Sequence, residues 1–94
     1  MSIQELSRRH LRIIKQFPRD EDWRTMSDIR AHAAKTLKVS QLGGFHRLYN
    51  LLRKGRKLGL IEHKLASTWV RQKYPMHKGY WRLSEAATKE LENL

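Results

Sequence analysis

The chain has 94 residues, enough for one small domain with a thin core, and no cysteine, which excludes disulfides, thiol chemistry and thiolate metal sites. Lys and Arg number 20 against 9 Asp and Glu, a net charge of +11, so a polyanion is the expected partner. No apolar run approaches the roughly 20 residues of a membrane span, and the opening "MSIQELSRRHLRIIKQF" lacks the apolar region and cleavage site of a signal peptide, so a cytosolic address is expected.

Taken in chain order, the first predicted element is a helix over 3–17. Ile3, Leu6, His10, Ile13 and Phe17 recur at spacings of three and four with Ile14 beside them, Ser2 and Glu5 form a capping box, and Pro18 closes the segment. His10 lies within the apolar stripe and reads as a partly buried structural histidine. After the polar "PRDEDW", Thr25 and Asp28 cap a second helix running to about Leu37, its inner face Met26, Ile29, Ala33 and Leu37. "KVS" supplies a turn, with Val39 expected to point inward and Ser40 to cap the next helix.

That third helix is predicted over 41–58, burying Leu42, Phe45, Leu48 and Leu52, with Tyr49 at the boundary. Its opposite face carries Gly43, His46, Arg47, Asn50, Arg53, Lys54 and Lys57, with no acid among them, whereas an ordinary surface helix mixes both signs. Gly43 and Gly44 fall at its start, where they either let backbone N–H groups approach a phosphate or mark the point at which the helix begins. Gly55 would admit a close neighbour, and Gly59 suits the left-handed end of the helix.

A strand follows from residue 60 toward 71, with Ile61, Leu65 and Trp69 on one side and His63 and Ser67 between them. "KYPMHKG" is a turn and "YWRLS" a second strand with Trp81 and Leu83 inward, which makes an antiparallel hairpin. Ser84 caps a last helix whose apolar positions are Ala87, Leu91 and Leu94. No repeat or linker interrupts this order, so residues 1–94 read as one domain.

The charge is concentrated: residues 41–82 hold 10 Lys and Arg against one acid, Glu62. In contrast, catalytic signals are missing. The five histidines are scattered without an HExxH pair, no GxxxxGK[ST] is present, and no nucleophile has a base at a suggestive spacing. A non-enzymatic chain without metal or cofactor is expected.

The order of these segments resembles the winged helix-turn-helix superfamily, MarR-like in general layout. "TMSDIRAHAAKTLKVS" is similar to the first helix and turn of the motif, "GFHRLYNLLRKGRKLGLIEHK" to a recognition helix with its Gly-Leu-Ile entry into the wing, and "GYWRLSEAATKEL" to the returning wing strand and closing helix. The resemblance implies a mainly α fold with a small antiparallel β-hairpin, in the order α-α-α-β-wing-β-α. It places the helix-turn-helix at about 25–58, the wing at about 60–83 and the C-terminal helix at about 84–94.

It also implies double-stranded DNA as partner, for a transcriptional regulator or DNA-associated factor that would sit on the nucleoid when bound. On the recognition helix the expected contacts are Gln41, Gly43, Gly44, His46, Arg47, Asn50, Arg53, Lys54 and Lys57. Arg47 suits guanine and Asn50 suits adenine, while Arg53, Arg56 and Lys57 suit phosphates. On the wing they are Arg71, Lys73, Tyr74, His77 and Lys78, toward backbone or minor groove.

A homodimer through the N- or C-terminal helix would double the footprint, although Leu91 and Leu94 equally serve the monomer's own core. Winged helices also act as protein-protein or RNA-binding modules. A basic amphipathic helix over 45–58 would in addition suit an anionic membrane surface.

Overall fold

A computed structural model describes residues 2–20, 22–64 and 79–94. A 3-10 turn, Ser2–Glu5, is followed by helices α1 (Arg8–Ile14), α2 (Met26–Ala33), α3 (Val39–Leu42) and α4 (Phe45–Lys57). Strands β1 (Ile61–Lys64) and β2 (Tyr80–Leu83) then pair, and α5 (Glu85–Glu92) closes the chain. The fold is mainly helical with a two-stranded antiparallel sheet, in register Ile61 with Leu83 and Lys64 with Tyr80. No described helix is long and apolar enough to cross a membrane.

Side-chain caps set three of the helix starts. The Thr25 hydroxyl accepts the Asp28 N–H at 3.2 Å and the Ser84 hydroxyl accepts the Ala87 N–H at 3.1 Å, both as expected. Such caps are worth about 1 kcal/mol each, because they satisfy amides that the helix itself cannot. The third cap corrects the reading of the N-terminus. Instead of one helix over 3–17, the chain makes the 3-10 turn and restarts at Arg8, with Ser7 accepting the His10 N–H at 3.2 Å. The apolar stripe still reaches the core: Ile3, Leu6, Ile13, Ile14 and Phe17 are buried, and the Ile3 N–H ties the turn to α5 through the Glu90 carboxylate at 3.1 Å.

The second correction lies between α2 and α4. The segment expected as one helix over 41–58 is two helices broken at Gly43 and Gly44, so four helices rather than three precede the sheet, and the glycine pair does mark where the longer helix begins, with Gly44 as its N-cap. Ser40 lies inside the short α3 rather than capping the next helix, and Val39, expected inward, is 77% exposed. Phe45, expected in the core, is 50% exposed because it is the first residue of α4 and overhangs the end of the buried stripe. Leu51 takes a core place that the sequence reading did not assign, beside Leu48 and Leu52. At the far end of the chain Leu91 is buried, whereas Leu94 is 68% exposed and adds nothing to the core.

The sheet sits against α4 and is extended by a contact that periodicity did not reveal. Arg24, just before α2, exchanges backbone hydrogen bonds with Trp81 (3.0 and 2.8 Å), so a third segment flanks β2 for one residue. Trp81 is buried and stacks on His63 across the sheet, with ring centroids 3.9 Å apart. Gly59, at φ 77°, turns the chain out of α4, and the Leu60 N–H closes the end on the Gly55 carbonyl at 2.8 Å.

Gly55 itself is buried against β1: a Cβ there would meet Ile61 Cγ1 at 2.5 Å. Alanine at this position gains about 1 kcal/mol of helix propensity. It also forces the core to move at a cost of about 1–3 kcal/mol. Gly55→Ala is therefore expected to lower stability by about 1 kcal/mol, read as an earlier urea midpoint with an unchanged slope, opposite in sign to an ordinary helix-interior Gly→Ala.

Candidate nucleic-acid interface

The amphipathicity of α4 separates two surfaces. Leu48, Leu51, Leu52 and Gly55, at i, i+3, i+4 and i+7, are all buried. At about 100° per residue, His46, Arg47, Asn50, Arg53, Lys54 and Lys57 fall within an arc of about 120° on the far side. His46, Asn50, Arg53, Lys54 and Lys57 are exposed and Arg47 is half-buried. The helix is about 20 Å long, its exposed arc carries no carboxylate, and Asn50, Arg53, Lys54 and Lys57 line a shallow groove along it.

Ion pairing sharpens the contrast. Among the described residues the salt bridges are Arg24 with Asp20, Arg82 with Glu62 at 2.9 Å, and Lys89 with Glu85 at 3.2 Å. None involves a cation of α4. The cations of the sheet are further engaged by an aromatic ring: the Arg82 guanidinium lies 4.2 Å and the Lys64 ammonium 4.6 Å from the centroid of Trp23.

The start of α4 is built by two arginines. Gly43 takes φ 73°, a conformation that disfavours side chains, and its carbonyl accepts a hydrogen bond from Arg30 Nη2 at 2.8 Å. Arg47 folds back over Gly43, so close that a Cβ there would meet its Nε at 2.8 Å, and Arg47 Nη1 donates to the Ser40 carbonyl at 3.4 Å. Arg30 also covers the ring of Phe45, 5.2 Å from its centroid. Gly44 is the N-cap of α4, exposed, extended, and without a side chain to accept from the first turn.

These positions sort the residues expected at the interface. His46, Asn50, Arg53, Lys54 and Lys57 share one open face, and Arg56 is exposed on its flank. Arg47 belongs to the same face but is partly committed to α3. Gln41 lies on α3, where its side-chain oxygen accepts the Lys38 N–H at 3.0 Å, and Gly43 shapes the break between the helices. The wing residues Arg71, Lys73, Tyr74, His77 and Lys78, with Leu65, Ser67 and Trp69, lie outside the described residues. Phe45 and Arg30 were not singled out for the interface by sequence reasoning. The signal for Phe45 was its place directly after two glycines, at a helix start. Set beside known protein families, curated proteins and solved structures, the chain matches none of them. Among the described residues no three His, Asp or Glu side chains converge on a metal site.

His10 connects α1 to this surface. Burial, and then the positive charges of Arg47 and Lys54, hold its pKa below the ordinary 6.5. The folded protein therefore resists protonating His10, whereas the unfolded chain does not. Its contribution to stability is complete above about pH 6.5 and is lost as pH falls through the lowered folded value. His10→Gln is expected to flatten this part of the profile. Urea midpoints measured from pH 7.5 down to 5 should fall less in the variant than in the wild type.

Proposed function

We propose that the protein is a double-stranded DNA-binding module of winged helix-turn-helix type, with α4 as the element that enters the major groove. The observation that carries this reading is the acid-free cationic face of α4, without a carboxylate partner among the described residues, set opposite buried leucines. A groove about 12 Å wide admits such a helix. In this reading Arg53, Arg56 and Lys57 would meet phosphates, and His46, Asn50, Lys54 and, once released from α3, Arg47 would reach base edges and flanking phosphates. The order α1, Arg24 bridge, α2, α4, β1, β2 supports a winged-helix layout, in which α3 enlarges the turn between the two motif helices. The reading is that of a binding protein rather than an enzyme.

The alternative of a membrane-surface helix requires an apolar face free to enter lipid. In α4 the leucines of that face are 0% exposed. An RNA duplex, with its deep and narrow major groove, would not admit the helix.

If the module neutralises about 5 phosphates, log K against log[salt] should fall with a slope of roughly −4 to −5. Replacing Arg53, Lys54 and Lys57 together by alanine, all at exposed positions, should weaken that slope by about 2.5. Selection from a random duplex library, followed by salt titration of the selected site and competition with structured RNA, reads all of this. A flat salt response, an unchanged slope in the triple variant, or a preference for the RNA would overturn the reading.

A further inference from the structure

A half-exposed aromatic ring stands at the N-terminus of α4, beside its cationic arc. Phe45 is the first residue of α4 and is 50% exposed, and it is followed by the exposed His46 and then by Arg47. Among the described residues the large exposed hydrophobics are Val39, Phe45 and Leu94, and of these Phe45 alone carries an aromatic ring and lies on α4. It does not hang loosely: Arg30 lies over it while bonded to the Gly43 carbonyl. One guanidinium thus fixes both the glycine break and the ring behind which α4 begins. A Cβ built on the preceding Gly44 would meet no heavy atom within 4 Å.

An exposed apolar group within a cationic rim suits a ligand that offers an apolar spot inside a polyanion. The major-groove edge of DNA has one such group, the thymine C5-methyl, which Phe side chains contact in direct readout. In helix-turn-helix docking the N-terminal residues of the recognition helix face base edges. Resting on the DNA-binding reading above, we propose that Phe45 is a specificity-determining residue that packs against a thymine methyl group, with Arg30 as the positioning residue that holds the ring. Van der Waals contact with a methyl discriminates thymine from cytosine without a hydrogen bond at that position.

The test uses the duplex recovered by selection and replaces each thymine in turn by deoxyuridine, which removes only the methyl group. At one or two positions the wild-type protein should lose about fourfold in affinity, the effect of one buried methyl. Phe45→Ala should bind more weakly and show the same affinity for thymine and uracil there, with circular dichroism confirming that its helices persist. The uracil series on the wild-type chain stands even if that variant unfolds. Indifference of the wild type to every replacement would overturn the proposal, as would an equal uracil penalty in Phe45→Ala. A ring that instead meets a second copy of the chain would show as a wild-type dimer in sedimentation that Phe45→Ala dissociates, without any thymine preference, which also overturns it. Loss of the salt slope would mean that the DNA-binding reading itself has failed. Salt-dependent binding without a methyl response would remove only the role of Phe45.

Discussion

The close packing of α4 against β1 at Gly55 is the contact on which the arrangement rests. A helix with Arg47, Arg53, Lys54, Arg56 and Lys57 repels itself, and its propensity is weakened further by an internal glycine. It persists because Leu48, Leu51 and Leu52 are buried beside that glycine. Burying a leucine fully is worth roughly 1.5–3 kcal/mol, more than one i,i+4 charge repulsion costs. The missing side chain at 55 lets Ile61 approach the helix axis, and Ile61 is the first residue of the strand that pairs with β2. Helix and sheet are therefore fixed to each other at the same point, and the cationic face is held outward as a consequence of apolar packing on the other side.

The parts legible in the sequence were those set by local chemistry. Thr25 and Ser84 announce their helices by offering an oxygen to an amide three residues on, and Gly59 announces an exit that needs positive φ. The inward alternation of Trp81 and Leu83 was equally readable. The break at Gly43 and Gly44 was less so, because Leu42, Phe45, Leu48 and Leu52 keep a helical spacing straight through it. Periodicity reports the phase of side chains and says little about continuity of the backbone. The same spacing assigned Phe45 to the core, although a residue at the very start of a helix has no preceding turn beneath it. Ser7 was passed over for Ser2 because the apolar stripe begins at Ile3 and runs unbroken through the 3-10 turn. The pairing of Arg24 with Trp81 joins residues far apart in the chain and leaves no period-two trace, since it is one residue long.

A bulk charge count does not distinguish cations that are paired within the domain from those that are open. Of the 10 Lys and Arg in residues 41–82, two belong to the sheet, and there Arg82 is bonded to Glu62 and stacked on Trp23, while Lys64 also lies over Trp23. Arg82 is thus paired within the domain and shares a pocket with Glu85 and Glu92 of α5, whereas Lys64 meets aromatic rings. The five on α4 have no carboxylate partner among the described residues. A count over sequence cannot make this distinction, because Glu62 pairs with Arg82 across the sheet and not with its neighbours in sequence.

The same polarity of α4 bears on α1. Arg47 is drawn back over Gly43 toward the Ser40 carbonyl, and with Lys54 it bears on a histidine of α1 whose protonation the fold resists. Among the described residues no carboxylate pairs with either of these two cations. By keeping His10 neutral the fold avoids a third positive charge beside Arg47 and Lys54. The cations of α4 are tolerable because most of them lie on the solvent side of the helix, where water screens them, while the opposite side is closed by leucines.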